Sequence, residues 1–324
     1  MRYGSETPWQ ELAFLVPRDQ VQDWRMLLLH DAAAANGVLD ELPATAAAVA
    51  AARGLDAHAV RVVLDGLALC DIVTVDDDGG GDGVYALGPA APDPEATAIL
   101  RHHAGSLRRW TTIPERVRGV APASATMNPG GPAIMLAAMA VRGRESAAGA
   151  VDACLAVAPD AASVLDLGGG HGQFAAEFAR RGLRAVMQDW SEVIDLVRRS
   201  DWLDGVDVEL FGGDFFETAP DETFDIVFCA GVVYTMDGER LVRLFRQVRP
   251  LIAPGGHLAL HTFLRGTDEL ATLFLGQMLG VAAGGPHRED DLRHWLDEAG
   301  YGVEATRRLD RRPEWMLLAT PSSG

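Results

Sequence analysis

Asp166, Gly168, Gly169, Gly170, Asp189 and Asp214 are the residues whose types and spacing could hold a ligand. The apolar pair Val164-Leu165 leads into Asp166 and Leu167, and then the chain reads Gly168-Gly169-Gly170-His171-Gly172. Glycines at the end of a strand let bare backbone approach a ligand, and the start of a following helix offers free N–H groups and a positive dipole end. Asp189 follows Asp166 by 23 residues and Asp214 follows Asp189 by 25, about one strand-plus-helix unit each. A carboxylate ending the second strand can accept from ribose hydroxyls, and one ending the third can accept from an adenine amino group. Phe215, directly after Asp214, can stack on a base or face a cation.

Two nucleotide-like ligands compete for this pattern. Gly170 to Ala175 fits GxGxxA, the turn of dinucleotide folds, and Asp189 falls near the ribose position of that fold. That fold has no use for an acid at Asp166 or for Gly213-Asp214-Phe215 at the third strand, and a pyrophosphate would meet two flanking carboxylates. S-adenosylmethionine (SAM), with S-adenosylhomocysteine as its product, fits all three acids. Trp190, following Asp189, and Ala230, just past the fourth strand, complete the expected cofactor contacts.

These residues need a frame. From Ala161 the chain alternates strand-like runs (163–167, 184–188, 206–211, 224–229, 257–263) with helix-like runs (172–181, 191–200, 238–248). A helix over 289–299 and strands over 302–308 and 314–319 close the pattern. Such alternation implies an α/β fold with a largely parallel, Rossmann-like seven-stranded sheet and helices on both faces. Residues 1–90 read differently, as helices over 21–36, 45–53 and 56–70 followed by a hairpin of 72–75 and 84–87. Helix, turn, helix, hairpin is a winged helix. Its second helix offers only His58 and Arg61 against phosphate, beside Asp65 and a wing rich in Asp76, Asp77, Asp78 and Asp82. Packing or dimerisation is expected of it, not DNA binding. The boundaries expected are 1–95, 96–157 for connecting helices that contribute to a substrate pocket, and 158–324.

Composition removes several chemistries. The formal net charge is −18, and all 28 basic residues are Arg. Without Lys there is no P-loop lysine, no Schiff base and no Tyr/Lys reductase pair. Cys70, Cys154 and Cys229 lie far apart and form no CxxC pair, so neither disulfides nor a thiolate zinc site is expected. No His pair has metal-ligand spacing, and no metal is expected. Lacking a leader pattern or a spanning apolar run, the chain reads as cytoplasmic, with no membrane and no nucleic-acid partner.

On Val164–Phe174, Gly212–Phe216, Arg249–His257, Trp295–Tyr301 and the Thr45–Leu87 winged helix, the chain resembles the small-molecule O-methyltransferases of plant and bacterial secondary metabolism. In that family a winged-helix dimerisation domain precedes a class I methyltransferase domain. The resemblance implies that Gly168 to Gly170 wrap the methionine part of SAM, Asp189 holds its ribose, and Asp214 and Phe215 hold its adenine. It also implies an interlocked homodimer and a small-molecule acceptor.

One part of the family pattern is missing. Where members usually carry His-Asp-Trp, with the His as general base, this chain reads Val232-Val233-Tyr234-Thr235-Met236-Asp237, so Tyr234 stands at the base position. The family's partner glutamate has no clear equivalent in Gly284-Gly285-Pro286-His287-Arg288-Glu289. A phenol, with pKa near about 10, is a poor base at neutral pH. Three readings follow: an acidic or ionised hydroxyl acceptor needing no base, an activated carbon oriented by Tyr234, or a fold that keeps SAM for chemistry without methyl transfer. A winged-helix regulator with a ligand-sensing domain is the alternative outside enzymes. Among the histidines, His261 at the end of the fifth strand is the candidate base. His102 and His103, on the helix leading to Trp110, are expected on a helix surface or in helix packing, with reach into a substrate pocket as the alternative; His171 is expected to cap a helix or face solvent, and His257 and His294 to be structural. Trp110, Met139, Met236, Phe263, Phe274 and Met278 could wall an aromatic acceptor or serve as plain core.

Overall fold

The computed structural model describes residues 24–76, 83–120, 131–279, 284–309 and 313–322. The wing tip expected over 77–82 and the loop over 121–130 lie outside the described residues. The chain divides into two compact units, residues 1–108 with 124–138, and 109–123 with 139–324.

The first unit is built of α1 (Trp24–Ala35), β1 (Ala44–Thr45), α2 (Ala46–Arg53), α3 (Ala57–Ala68), β2 (Val73–Asp76) and β3 (Val84–Leu87), and most of α4 (Pro94–Trp110) begins here. The short strands form one antiparallel sheet in the order β1-β3-β2. Helix starts follow from local chemistry: Thr45 Oγ1 accepts from the Ala48 amide at 3.2 Å, and Asp56 Oδ1 accepts from the Ala59 amide at 2.8 Å. Val49, Leu64, Leu67, Val73 and Tyr85 close its core.

The second unit holds the sheet. Its elements are α5 (Ile113–Val117), residues 139–155 of α6 (Gly131–Leu155), β4 (Ser163–Leu167), α7 (Gln173–Arg180), β5 (Arg184–Asp189), α8 (Ser191–Arg199) and β6 (Glu209–Gly212). There follow β7 (Phe224–Ala230), α9 (Gly238–Val248), β8 (Ile252–Phe263), α10 (Glu269–Leu279), α11 (Glu289–Glu298), β9 (Tyr301–Arg308) and β10 (Glu314–Pro321). The seven strands lie in the order β6-β5-β4-β7-β8-β10-β9, parallel except for β10, which runs antiparallel to both neighbours. Period-two alternation divides each strand between two cores. Leu165, Leu167, Val227, Cys229, Leu258 and Leu260 pack under α9 and α11, whereas Val164, Ile226, Phe228, Ala259 and Met316 pack under α7 and α8.

Two strands depart from expectation. β6 begins at Glu209, not at 206, and pairs Val186 to Asp189 with Glu209 to Gly212. β8 begins at Ile252, ahead of the Pro254-Gly255-Gly256 stretch that reads as a turn, because Ile252 pairs with Phe224 across a bulge. Among the described residues, no helix is long and apolar enough to cross a membrane.

Candidate active site

Strand order reverses between β4 and β7, and ligands of such sheets bind outside the strand ends at that reversal. The loop 168–172 leaves β4 there and the turn 231–236 leaves β7 beside it, because Asp166 and Phe228 are in register.

On the β4 side the loop is held by main-chain hydrogen bonds. Gln188 O accepts from the Gly168 amide at 2.8 Å, and the Gly172 amide donates to Gly169 O at 2.9 Å. Gly168 sits at φ +70°, and a Cβ there would meet Val232 Cγ2 at 2.6 Å. Only glycine lets the two loops come this close. The Asp189 carboxylate receives the Gly170 amide at 2.8 Å on Oδ2 and the Trp190 amide at 2.7 Å on Oδ1, while its carbonyl receives Gly213 N at 2.9 Å. One aspartate thus ties the ends of β4, β5 and β6 together. Burial raises its pKa, and the Gly170 and Trp190 amides pull the other way.

Asp166 is fully buried. Its Oδ2 accepts from the Ala175 amide at 3.2 Å, and its Oδ1 has no partner among the described residues. Burial pushes its pKa up to about 7, the Ala175 amide opposing and the Asp189 charge adding. An orphaned carboxylate oxygen beneath a glycine loop is suited to a cationic ligand group. Asp214 Oδ1 accepts from the Phe216 amide at 2.8 Å, and Phe215, half-buried against the core, has its carbonyl held by Gln247 Nε2 at 2.6 Å. Trp190 is 53% exposed, and Ala230 is half-buried opposite His261 in register.

His171 is buried and does not face solvent, the alternative raised by its loop position. Its Nδ1 accepts from the Gln173 amide at 3.1 Å, the capping role expected, and its ring packs on Phe174 and on the bare backbone of Gly143. Burial lowers its pKa to about 4, Arg144 contributing. His261 is buried with its ring 5.2 Å from Phe174, on the α7 side of the sheet.

On the β7 side, Tyr234 rides a single 3₁₀ turn, Val233–Thr235. Its ring is edge-on to Phe274 at 5.0 Å and tilted on Phe263 at 6.2 Å, and those two rings lie 4.7 Å apart. Burial pushes the phenol up to about 12, and Glu314 adds to the shift. Trp110 belongs to the same unit and would stand 2.7 Å from a Cβ at Gly276, two residues after Phe274. Met236 is sealed in the core, Met278 is buried and Met139 half-buried. His257 bonds Glu304 at 3.2 Å, His294 is exposed, and His102 and His103 are half-buried on α4. Among the described residues no three His, Cys, Asp or Glu side chains cluster as metal ligands.

The sequence pattern missed His287. It bonds the carbonyls of Val233 and Met236, 54 and 51 residues away, so no local signal could have marked it.

A seven-stranded sheet of this order, with a glycine loop and carboxylates at its strand ends, defines a class I methyltransferase that depends on SAM. A family model described as "Methyltransferase domain" matches residues 139–306, and the chain belongs to that family. Solved structures agree in fold. The mitomycin 7-O-methyltransferase is 24% identical, with a TM-score of 0.70, over 92% of this chain and 94% of that one. Human N-acetylserotonin methyltransferase, solved with SAM, is 21% identical over 93% and 95%, with a TM-score of 0.67. An O-methyltransferase of neocarzinostatin biosynthesis, solved with S-adenosylhomocysteine and 1,4-dihydroxy-2-naphthoic acid, is 18% identical over 96% and 100%, with a TM-score of 0.64.

Proposed function

We propose that the protein transfers the methyl group of SAM to an oxygen, or to an activated carbon, of a small aromatic or enolisable acceptor. The observation that carries this reading is the unlike chemistry of the two loops at the strand reversal. One presents bare backbone and carboxylates, and the other presents a neutral phenol among aromatic rings. Mitomycin, in the name of one similar structure, and 1,4-dihydroxy-2-naphthoic acid, bound in another, support a small-molecule acceptor.

In this reading Gly168, Gly169 and Gly170 wrap the methionine part, and Asp166 faces its cationic end with Oδ1, which has no partner among the described residues. Asp189 accepts from the ribose on lone pairs left over from Gly170 and Trp190. Asp214 and Phe215 take the adenine, with Trp190 and Ala230 flanking. SAM supplies an electrophilic methyl group, so proximity and in-line alignment can contribute up to about 7–11 kcal/mol. With its pKa raised, Tyr234 orients the acceptor as a hydrogen-bond donor. His261 is assigned the proton from an acceptor that is not already ionised. A second reading, SAM held for an isomerisation or decarboxylation, draws on the same neutral phenol.

Residues 1–95 are assigned homodimerisation as a winged helix, 96–157 the connection and, through Trp110, part of the acceptor wall, and 158–324 catalysis. Val62, Leu69, Val84 and Leu87, all exposed apolar side chains of the first unit, support the dimer. A cytoplasmic location and a lack of nucleic-acid partners fit the acidic, Lys-free chain. Calorimetric titration with S-adenosylhomocysteine tests the donor half: saturable binding that Asp189→Ala abolishes supports it, and no binding to the unmodified protein refutes it.

A further inference from the structure

Three elements that meet at the acceptor side are joined through one residue, His287. His287 Nε2 lies 3.2 Å from Val233 O and 2.9 Å from Met236 O, the carbonyls bracketing Tyr234 in its turn. Only a protonated nitrogen can serve two carbonyls, so the ring carries its hydrogen on Nε2. The ring also stands edge-on to Trp295 of α11 at 4.9 Å. Its backbone carbonyl accepts from the Arg265 amide at 2.9 Å, just past Phe263 at the end of β8.

The same segment presses on the turn from a second point. A Cβ at Gly284 would lie 2.7 Å from Tyr234 O and 2.6 Å from Met236 N, and against Met236 O. Backbone therefore stacks directly on backbone, and residues 284–287 form a strap across 233–236. Within the turn itself Thr235 N and Oγ1 both donate to Val232 O, at 3.0 and 2.7 Å, and Met236 N donates to Val233 O at 3.4 Å, so its own bonds converge on Val232 O and reach Val233 O only at long range. The strap supplies hydrogen bonds that the turn lacks.

We infer that His287 is a positioning residue for the methyl acceptor, fixing Tyr234 by holding the carbonyls of Val233 and Met236 on either side of it. The inference rests on the reading of Tyr234 as the acceptor-side donor. The two halves of the site have different hydrogen-bond supports: the glycine loop bonds to Gln188 and Asp189 and, among the described residues, meets the Tyr234 turn only by packing of Gly168 against Val232. Burial lowers the imidazole pKa while the two carbonyls, Asp291 and Asp237 oppose it. Either protonation state keeps the Nε2 hydrogen, so the strap holds across the neutral range.

The test compares His287→Phe, which keeps the ring and its contact with Trp295, with His287→Gln, whose amide N–H can reach the same carbonyls. Hydrogen–deuterium exchange of the peptide spanning 231–238 should quicken about tenfold in His287→Phe and recover in His287→Gln, with S-adenosylhomocysteine affinity unchanged in both, as expected when about 1–2 kcal/mol of hydrogen bonding is removed. With tritiated SAM and 1,4-dihydroxy-2-naphthoic acid as the probe acceptor, acceptor KM should rise and kcat fall in His287→Phe. Adding that substitution to Tyr234→Phe should then cost nothing further. Unchanged exchange in His287→Phe, or cofactor affinity falling in parallel, would overturn the proposal. Faster exchange combined with full activity in Tyr234→Phe would overturn the role of Tyr234, and with it the link from the strap to the acceptor.

Discussion

The Asp189 carboxylate grips the Gly170 amide at 2.8 Å, so the residue assigned to the ribose is also the one that shapes the glycine loop. Its other oxygen takes the Trp190 amide at 2.7 Å. Replacing it therefore removes ligand contacts and the loop's anchor together. Asp189→Ala should weaken S-adenosylhomocysteine binding by at least about a hundredfold, since charge-assisted hydrogen bonds contribute about 1.5–3 kcal/mol each. Asp189→Asn, which cannot receive both amides on its two side-chain heteroatoms, should lie between. Calorimetry reads both values, and equal affinity in Asp189→Ala would contradict the assignment.

Gly168→Ala places a methyl group 2.6 Å from Val232 Cγ2 at a backbone φ of +70°. The expected outcome is a loss of about 1–3 kcal/mol in unfolding free energy, together with weaker cofactor binding. Val232→Ala in the same chain should return part of the loss by removing the collision, leaving the backbone strain. Urea unfolding of the single and double variants measures the two parts.

Asp166 gives a pH dependence with a definite sign. Its pKa is raised from 3.8 to about 7 in the folded protein, so the folded state binds the proton more tightly than the unfolded chain. Its contribution is fully present below about pH 4 and is lost as pH rises through about 7. Melting temperature should thus fall between pH 5 and 8 more steeply in the unmodified protein than in Asp166→Asn, by roughly one proton's linkage. Parallel curves would show that the buried carboxyl does not titrate there.

Tyr234 should leave no mark on the pH–rate profile in the neutral range, because its phenol is pushed up to about 12. Tyr234→Phe should lower kcat/KM about tenfold, the order of one hydrogen bond, without changing the shape of the profile. A basic limb near neutrality that vanishes in Tyr234→Phe would instead make the phenolate the base.

The proposed donor half was the more legible one, because it is local. Asp166 and Gly168 to Gly172 are consecutive along one strand–loop–helix passage, Asp189 ends β5, and Asp214 lies two residues past the end of β6 instead of closing it, so periodicity and spacing are enough to propose them. The acceptor half is assembled from distant segments: Trp110 meets Gly276, Phe263 and Phe274 meet Tyr234, and His287 reaches back to Val233 and Met236. Residue types at those positions read equally well as core, and only the fold brings them together. The start of β8 was hidden for a related reason, since Pro254 and Gly255 signal a turn while pairing with β7 keeps the strand continuous.

Transfer of tritium from methyl-labelled SAM to 1,4-dihydroxy-2-naphthoic acid and other small phenols and enolisable ketones decides whether the protein transfers the methyl group or only binds its donor. The account predicts label in an extractable product, lost in Asp189→Ala and reduced about tenfold in Tyr234→Phe. Label that stays on SAM while an acceptor is nonetheless isomerised or decarboxylated would contradict methyl transfer.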